Sequence, residues 1–181
     1  MNAPAKPLFA QTWFNALRSA LYASGFIAFF AWIALQLRIY DRDFSFVLPA
    51  ATVALGVVLM FAGAVLALLC IATFLVRGRG TPAPFDPPRQ FVAIGPYRYV
   101  RNPMYFGGFT LLLGLAFYLR SVSIVLMVTV LLPAIHLLVV LYEEPVLRRK
   151  FDGPYENYLA TVARWLPRVS RPNASSAPLS S

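Results

Sequence analysis

The chain has 181 residues, of which 59% are hydrophobic and 13% charged, with a mean hydropathy of +0.66 and a formal net charge of +9. So few charges exclude an ordinary water-soluble domain. The basic residues sit in loops and tails between apolar runs, not along one solvated face, which argues against nucleic-acid binding. A single cysteine, Cys70, lies inside an apolar run and excludes a disulfide within the chain.

Residues 1–12 read as a polar leader. The first apolar run has a basic approach but no small-residue cleavage signal, so an uncleaved anchor is expected. Apolar runs extend from Leu21 to Leu37, Phe46 to Val76, Met104 to Leu119 and Val122 to Tyr142. Each approaches the roughly 20 residues that cross a bilayer as helix, which predicts an all-α integral membrane bundle of about four transmembrane helices. The second run is longer than a perpendicular crossing needs and predicts tilt or a helical extension. With the N-terminus in the cytoplasm, 13 of the 16 basic residues fall on that side and only Arg38, Arg42 and Arg120 on the other. This positive-inside partition predicts a multi-pass protein, in the inner or plasma membrane, with both termini cytoplasmic. The stretch Thr81-Pro82-Ala83-Pro84-Phe85-Asp86-Pro87-Pro88 has four prolines in seven residues and predicts a stiff, extended path. Residues 169–181 have the composition of a disordered tail.

The chemistry-bearing stretch is Gly95-Pro-Tyr-Arg-Tyr-Val-Arg-Asn-Pro-Met-Tyr-Phe-Gly-Gly108, where an arginine-rich turn opens directly into the third apolar run. Pro103 suits the first turn of a helix and Asn102 its cap, leaving free backbone N–H groups that, with Arg101, favour an anion. Only Arg120-Ser121 joins the third and fourth runs, so they form a tight antiparallel hairpin whose other ends lie on one membrane side. Glu143-Glu144 therefore neighbours the Gly95 motif by topology. Such charges at helix mouths are costly in a membrane unless they meet each other or a polar ligand, which predicts one shared site. Simpler readings stand beside this one. Glu144 and Arg148 suit a helical i,i+4 ion pair, Tyr97, Tyr99 and Tyr105 suit interfacial anchoring, and Gly107, Gly108 and Gly114 suit close helix packing. His136 lies seven residues before Glu143, two helical turns, and shares its face. The segment from Leu147 to Arg168 suits the membrane surface, with its arginines towards lipid phosphates.

The Gly95 motif, followed at hairpin distance by Glu-Glu-Pro-Val-Leu-Arg-Arg-Lys-Phe-Asp-Gly-Pro-Tyr-Glu-Asn-Tyr, resembles the isoprenylcysteine carboxyl methyltransferase and phospholipid methyltransferase superfamily of membrane enzymes. The resemblance covers residues 77–168 within a domain of 13–168. It implies a cytoplasmic C-terminal lobe binding S-adenosylmethionine through Tyr97, Arg101, Asn102, Pro103, Tyr105, Gly107, His136, Glu143, Glu144, Tyr155 and Tyr158. Of these, Arg101, Glu143 and Glu144 are expected to serve catalysis, and no metal is implied. Asn102 stands where the superfamily usually has a histidine, which favours an acceptor that needs no imidazole base. The implied partners are membrane lipids and a lipophilic acceptor, either an isoprenylcysteine-like carboxylate or an aminophospholipid, entering from the bilayer beneath a roof formed by the Gly80 to Pro88 loop. Two other functions share these features: an NADPH-dependent sterol or enone reductase, and a non-catalytic membrane binding subunit.

Overall fold

The structure is a computed structural model that describes residues 21, 25–73 and 93–167. The polar leader 1–12, the proline-rich loop from Gly80 to Pro88 and the tail 169–181 lie outside the described residues. Helix α1 covers 25–37 and ends in a 3-10 turn, Arg38–Asp43. Helix α2 runs over Thr52–Thr73, and a 3-10 turn, Gly95–Arg98, leads into α3, Pro103–Leu119. Helix α4, Val122–Leu138, passes through a π turn, Val139–Glu143, into α5, Glu144–Thr161. Among the described residues there is no strand, only an isolated parallel bridge between Val100 and Ala163.

Two helical stretches are long and apolar enough to cross a membrane: α2, with 22 residues, and the continuous stretch Val122–Thr161. Helix α3 is apolar but has 17 residues. On the outside of these helices Val58, Phe61, Leu68, Val130 and Leu141 are all more than half exposed. A surface of this kind is stable against hydrocarbon, not water. The second apolar run behaves differently from the sequence expectation. Its first residues, from Phe46 to Pro49, are not helical, because proline disfavours helix in the residue before it and cannot donate an N–H. The helix starts only at Thr52, whose N–H and hydroxyl both donate to the Pro49 carbonyl, at 3.0 and 2.7 Å. The described part of this helix has 22 residues, about the length that crosses a bilayer.

The most extensive packing joins α2 and α3 antiparallel through four glycines. Gly56 and Gly63 on α2 are seven residues apart, as are Gly107 and Gly114 on α3, so each pair recurs on one face after two turns. A Cβ built on Gly63 would lie 2.6 Å from the Gly107 carbonyl oxygen, and one on Gly114 would lie 2.6 Å from the Met60 nitrogen. Lipid tails are as apolar as leucine, so helices in a membrane gain contact energy by bringing backbones close, which small residues permit. Opposite this seam Ala34 of α1 packs on Ala116 and Ile124.

The α3–α4 hairpin is as tight as the two-residue link requires. Arg120 takes a left-handed conformation (φ 54°), and the Ser121 hydroxyl accepts the Ile124 N–H at 3.2 Å to cap α4. Asp41, from the turn after α1, accepts the Ser123 N–H at 2.9 Å at the same helix start. Burial raises the Asp41 carboxyl, but hydrogen bonds from Ser123 and Ser121 and the nearby Arg38 charge outweigh it and hold the group below its usual range. The carboxylate therefore caps α4 at neutral pH, and its contribution fades as the pH falls through that lowered value. This polar end lies at the opposite pole of the bundle from Arg101 and Glu144.

The glycine seam is directly testable. Gly63→Val and Gly114→Val should each destabilise the protein in detergent by about 1–3 kcal/mol through overpacking. Gly108→Ala, at a helical position with nothing within 4 Å of the added Cβ, should be neutral or slightly stabilising in the same thermal melts.

Candidate functional site

Local sequence brings three segments to one end of the bundle. Gly95 begins the approach to α3 with φ +59°, and a Cβ there would lie 2.7 Å from Thr73 Oγ1. Glycine is thus required both by conformation and by space. The turn seats Tyr97 against Cys70 of α2, where burial holds its phenol well above the ordinary range, so it remains neutral. Pro103 takes the first helical position, where its missing N–H costs nothing. On the other side α5 is broken at Asp152 (φ 38°, ψ −122°), just before Gly153-Pro154. Pro154 has no N–H to continue the ladder and restricts the residue before it, so the chain bends there and helix resumes in a new direction. The resumed segment places Tyr158, whose hydroxyl donates to the Tyr97 carbonyl at 2.6 Å. The strap after α5, residues 162–167, then returns to the start of α3.

Glu144 is the centre of the site. Its side chain is only 10% exposed, and Arg101 Nη1 donates to its Oε1 at 3.0 Å. Arg164, from the strap, donates to both of its oxygens, through Nε at 2.8 Å and Nη2 at 3.0 Å. Forked pairing of this type is the strongest arrangement for a guanidinium and a carboxylate. It raises the Arg164 guanidinium further above its ordinary range, against the opposing effect of burial, so Arg164 is a permanent cation. The backbone reinforces the meeting. The Arg101 N–H donates to the Ala163 carbonyl at 2.9 Å, and Asn102 Nδ2 donates to the Arg164 carbonyl at 3.3 Å. Arg101 Nε is buried and has no acceptor among the described residues.

Glu143 has different surroundings. Among the described residues its hydrogen-bond partner is the Tyr105 hydroxyl, which donates to Oε1. No cation holds it. The two adjacent glutamates are thus divided between a positive pole, Arg101 with Arg164 around Glu144, and a negative pole, Glu143 with the neutral Tyr105. The π turn over Val139–Glu143 carries an extra residue per hydrogen-bonded turn at the point where both carboxylates enter the site. Seven positions from His136 to Glu143 consequently no longer make two whole α-turns. His136 Nδ1 instead accepts the Trp165 Nε1–H at 3.0 Å.

Several expectations are revised by this geometry. Asn102 occupies the N-cap position through its carbonyl, which accepts the Phe106 N–H at 3.2 Å, but its side chain makes no capping bond because it is drawn to the strap. The Glu144–Arg148 ion pair is replaced: Arg148 pairs with Glu156 at 3.1 Å, and Glu144 is taken by Arg101 and Arg164. Arg164 does not face lipid phosphates. Gly107 lies in the α2–α3 seam, where its Cβ position meets the Gly63 carbonyl at 3.1 Å, and Tyr155 is buried with its ring 6.2 Å from that of Tyr158. Arg101, Asn102, Tyr105, Glu143 and Glu144 converge at the α3 mouth with Pro103 beneath them. Sequence reasoning missed Arg164 and Trp165. Their signal was an arginine and an indole placed after a Gly-Pro break that turns the chain back.

Residues 51–153, more than half of the chain, match the family model described as phospholipid methyltransferase. No curated protein matches the chain, and no solved structure matches it. The matched residues contain α2 to α4, the π turn and α5 up to its break. Tyr155, Tyr158, Arg164 and Trp165 lie beyond them.

Removing the Glu144 charge leaves two partly buried guanidiniums facing each other. Glu144→Gln should therefore destabilise the protein by about 3 kcal/mol. Arg148→Ala should cost at most about 1 kcal/mol, because the Arg148–Glu156 pair is more than half exposed. Comparing both variants by thermal denaturation in detergent checks the ranking, and equal shifts would contradict it.

Proposed function

The chain belongs to the phospholipid methyltransferase family, and from that premise we propose that it transfers a methyl group from S-adenosylmethionine to a lipophilic acceptor that enters from the bilayer. The observation that carries this reading is the division of the site into two poles. The amino-acid end of S-adenosylmethionine is a zwitterion bearing a carboxylate and an ammonium, and its sulfonium adds a second positive charge. Arg101 and Arg164 suit the carboxylate. Arg101 Nε is already desolvated and without an acceptor among the described residues, and the first N–H groups of α3 have no side-chain cap there. Glu143, with one oxygen taken by Tyr105, keeps acceptor capacity for the ammonium or the sulfonium side.

When bound, the donor supplies an electrophilic methyl group that leaves by in-line displacement. The protein's own contribution is then chiefly orientation. Arg101, fixed by its backbone bond to Ala163 and its ion pair with Glu144, anchors one end of the donor. Tyr105 and Glu143 fix the other end and lower the cost of positive charge beside the acceptor. An amine acceptor must react as the neutral base, and Glu143 is the carboxylate placed to take its proton. A carboxylate acceptor needs no such step. Arg101 and the glutamates lie where apolar helices end, so a water-soluble donor and a lipid-borne acceptor can approach from different phases. We assign this mouth to the cytoplasmic side, with both termini there, because the positive-inside partition puts 13 of the 16 basic residues of the sequence on that side.

Incubating the purified full-length protein with methyl-labelled S-adenosylmethionine and a total membrane lipid extract tests the reading. Label should enter the organic phase, and Glu143→Gln and Tyr105→Phe should each slow its transfer about tenfold or more while leaving thermal stability within about 1 kcal/mol. Label confined to water-soluble products would overturn the lipophilic acceptor.

A further inference from the structure

Trp165 and His136 belong to neither pole, yet they join the two parts of the chain that build the site. Trp165 directly follows Arg164 in the strap, whereas His136 sits on α4 one turn before the π turn that delivers Glu143 and Glu144. Their contact, Trp165 Nε1–H to His136 Nδ1 at 3.0 Å, spans 29 positions. The rings lie 6.2 Å apart at 40°, so the pair meets through this hydrogen bond and not through stacking. Indole N–H is a donor only, and Nδ1 accepts only when it carries no proton, so the bond defines which imidazole nitrogen is bare.

We propose that Trp165 is a positioning residue that, by hydrogen bonding to His136, clamps the strap 162–167 onto α4 and thereby holds the Arg164 guanidinium on Glu144. This rests on the reading of that site as the methyl-donor site. Apart from the Arg164–Glu144 pair that the clamp serves and the Val162 N–H bond back to Tyr158, the strap is held by the Arg101 N–H donating to the Ala163 carbonyl and by Asn102 Nδ2 donating to the Arg164 carbonyl. Both tie the strap to the start of α3. Neither ties it to the helix that presents the glutamates. Trp165 supplies that second anchor, one residue from the guanidinium, so α3, α4 and the strap become a closed triangle around Glu144. With two anchors the guanidinium meets both oxygens of the carboxylate. With one, the strap pivots about Ala163 and the forked geometry is lost. The strap half of the clamp, Trp165, lies beyond the residues matched by the family model, 51–153, whereas His136 lies within them. His136 in this account supports the site without touching the donor.

The test uses the full-length protein in detergent with three substitutions. Trp165→Phe keeps the aromatic bulk and an interfacial ring but removes the N–H. His136→Leu removes the acceptor, and His136→Asn keeps an acceptor oxygen close to the position of Nδ1. Hydrogen exchange of residues 162–167, measured without ligand, should rise in Trp165→Phe and His136→Leu and stay near wild type in His136→Asn. Affinity for S-adenosylhomocysteine should fall about 3- to 10-fold in the first two, the scale of one lost neutral hydrogen bond, with His136→Asn largely restored. Unchanged exchange and affinity in Trp165→Phe would overturn the clamp, as would a His136→Asn variant as impaired as His136→Leu, since packing alone would then explain the pair. If exchange responds as expected but wild-type protein does not bind S-adenosylhomocysteine, the clamp holds and the methyl-donor reading of the site fails.

Discussion

A single carboxylate, Glu144, placed between two guanidiniums is the interaction on which the rest of the site depends. Arg101 brings the start of α3, Glu144 the junction of the π turn with α5, and Arg164 the strap that follows α5. None of these segments is adjacent in sequence, and each charge alone would be expensive at the edge of a hydrocarbon layer. Together they satisfy one another while leaving donors unused, notably Arg101 Nε. The same arrangement that stabilises the fold thus leaves a cationic surface that a carboxylate can complete. Glu144 is committed to both arginines, whereas Glu143 meets the Tyr105 hydroxyl, so two neighbouring residues of the same type have different surroundings, and our reading assigns Glu143 to a ligand cation.

The membrane part of the fold supports this chemistry from below. The glycine seam brings α2 and α3 into backbone contact and holds the α2 end, with Cys70 and Thr73, under the turn that carries Tyr97. Tyr158 donates to the Tyr97 carbonyl, so the position of α5 after its break is referred to the seam. Rigid apolar packing in the bilayer and a polar, cross-linked mouth are therefore continuous. A lipid acceptor would meet the first before the second.

Much of this was legible in the sequence for definite reasons. A two-residue link between apolar runs permits only a tight hairpin, so the proximity of Arg101 and Glu144 followed from topology. Pro103 at the first turn of α3 and small residues at the helix seam follow rules that tertiary context seldom overrides. What escaped notice required long-range geometry. Arg164 reaches Glu144 across 20 positions only because Asp152 adopts an unusual backbone conformation before Gly153-Pro154. A helical i,i+4 rule instead pointed to Arg148. The π turn also has no sequence signature here, so helical spacing wrongly linked His136 with Glu143. Asn102 was read as a local cap, whereas a partner 62 positions away claims its side chain.

The central claim is that the Arg101–Arg164 pole recognises a donor carboxylate and the Glu143–Tyr105 pole the positive charge opposite it. Isothermal titration of the detergent-solubilised full-length protein with S-adenosylhomocysteine, and with the analogue lacking only its carboxylate, tests this most directly. Deleting one partner of a charge-assisted bond costs about 1.5–3 kcal/mol, so the decarboxylated analogue should bind about 10- to 100-fold more weakly. That preference should disappear in Arg101→Gln. Equal affinity for the two ligands in the wild-type protein would contradict the account.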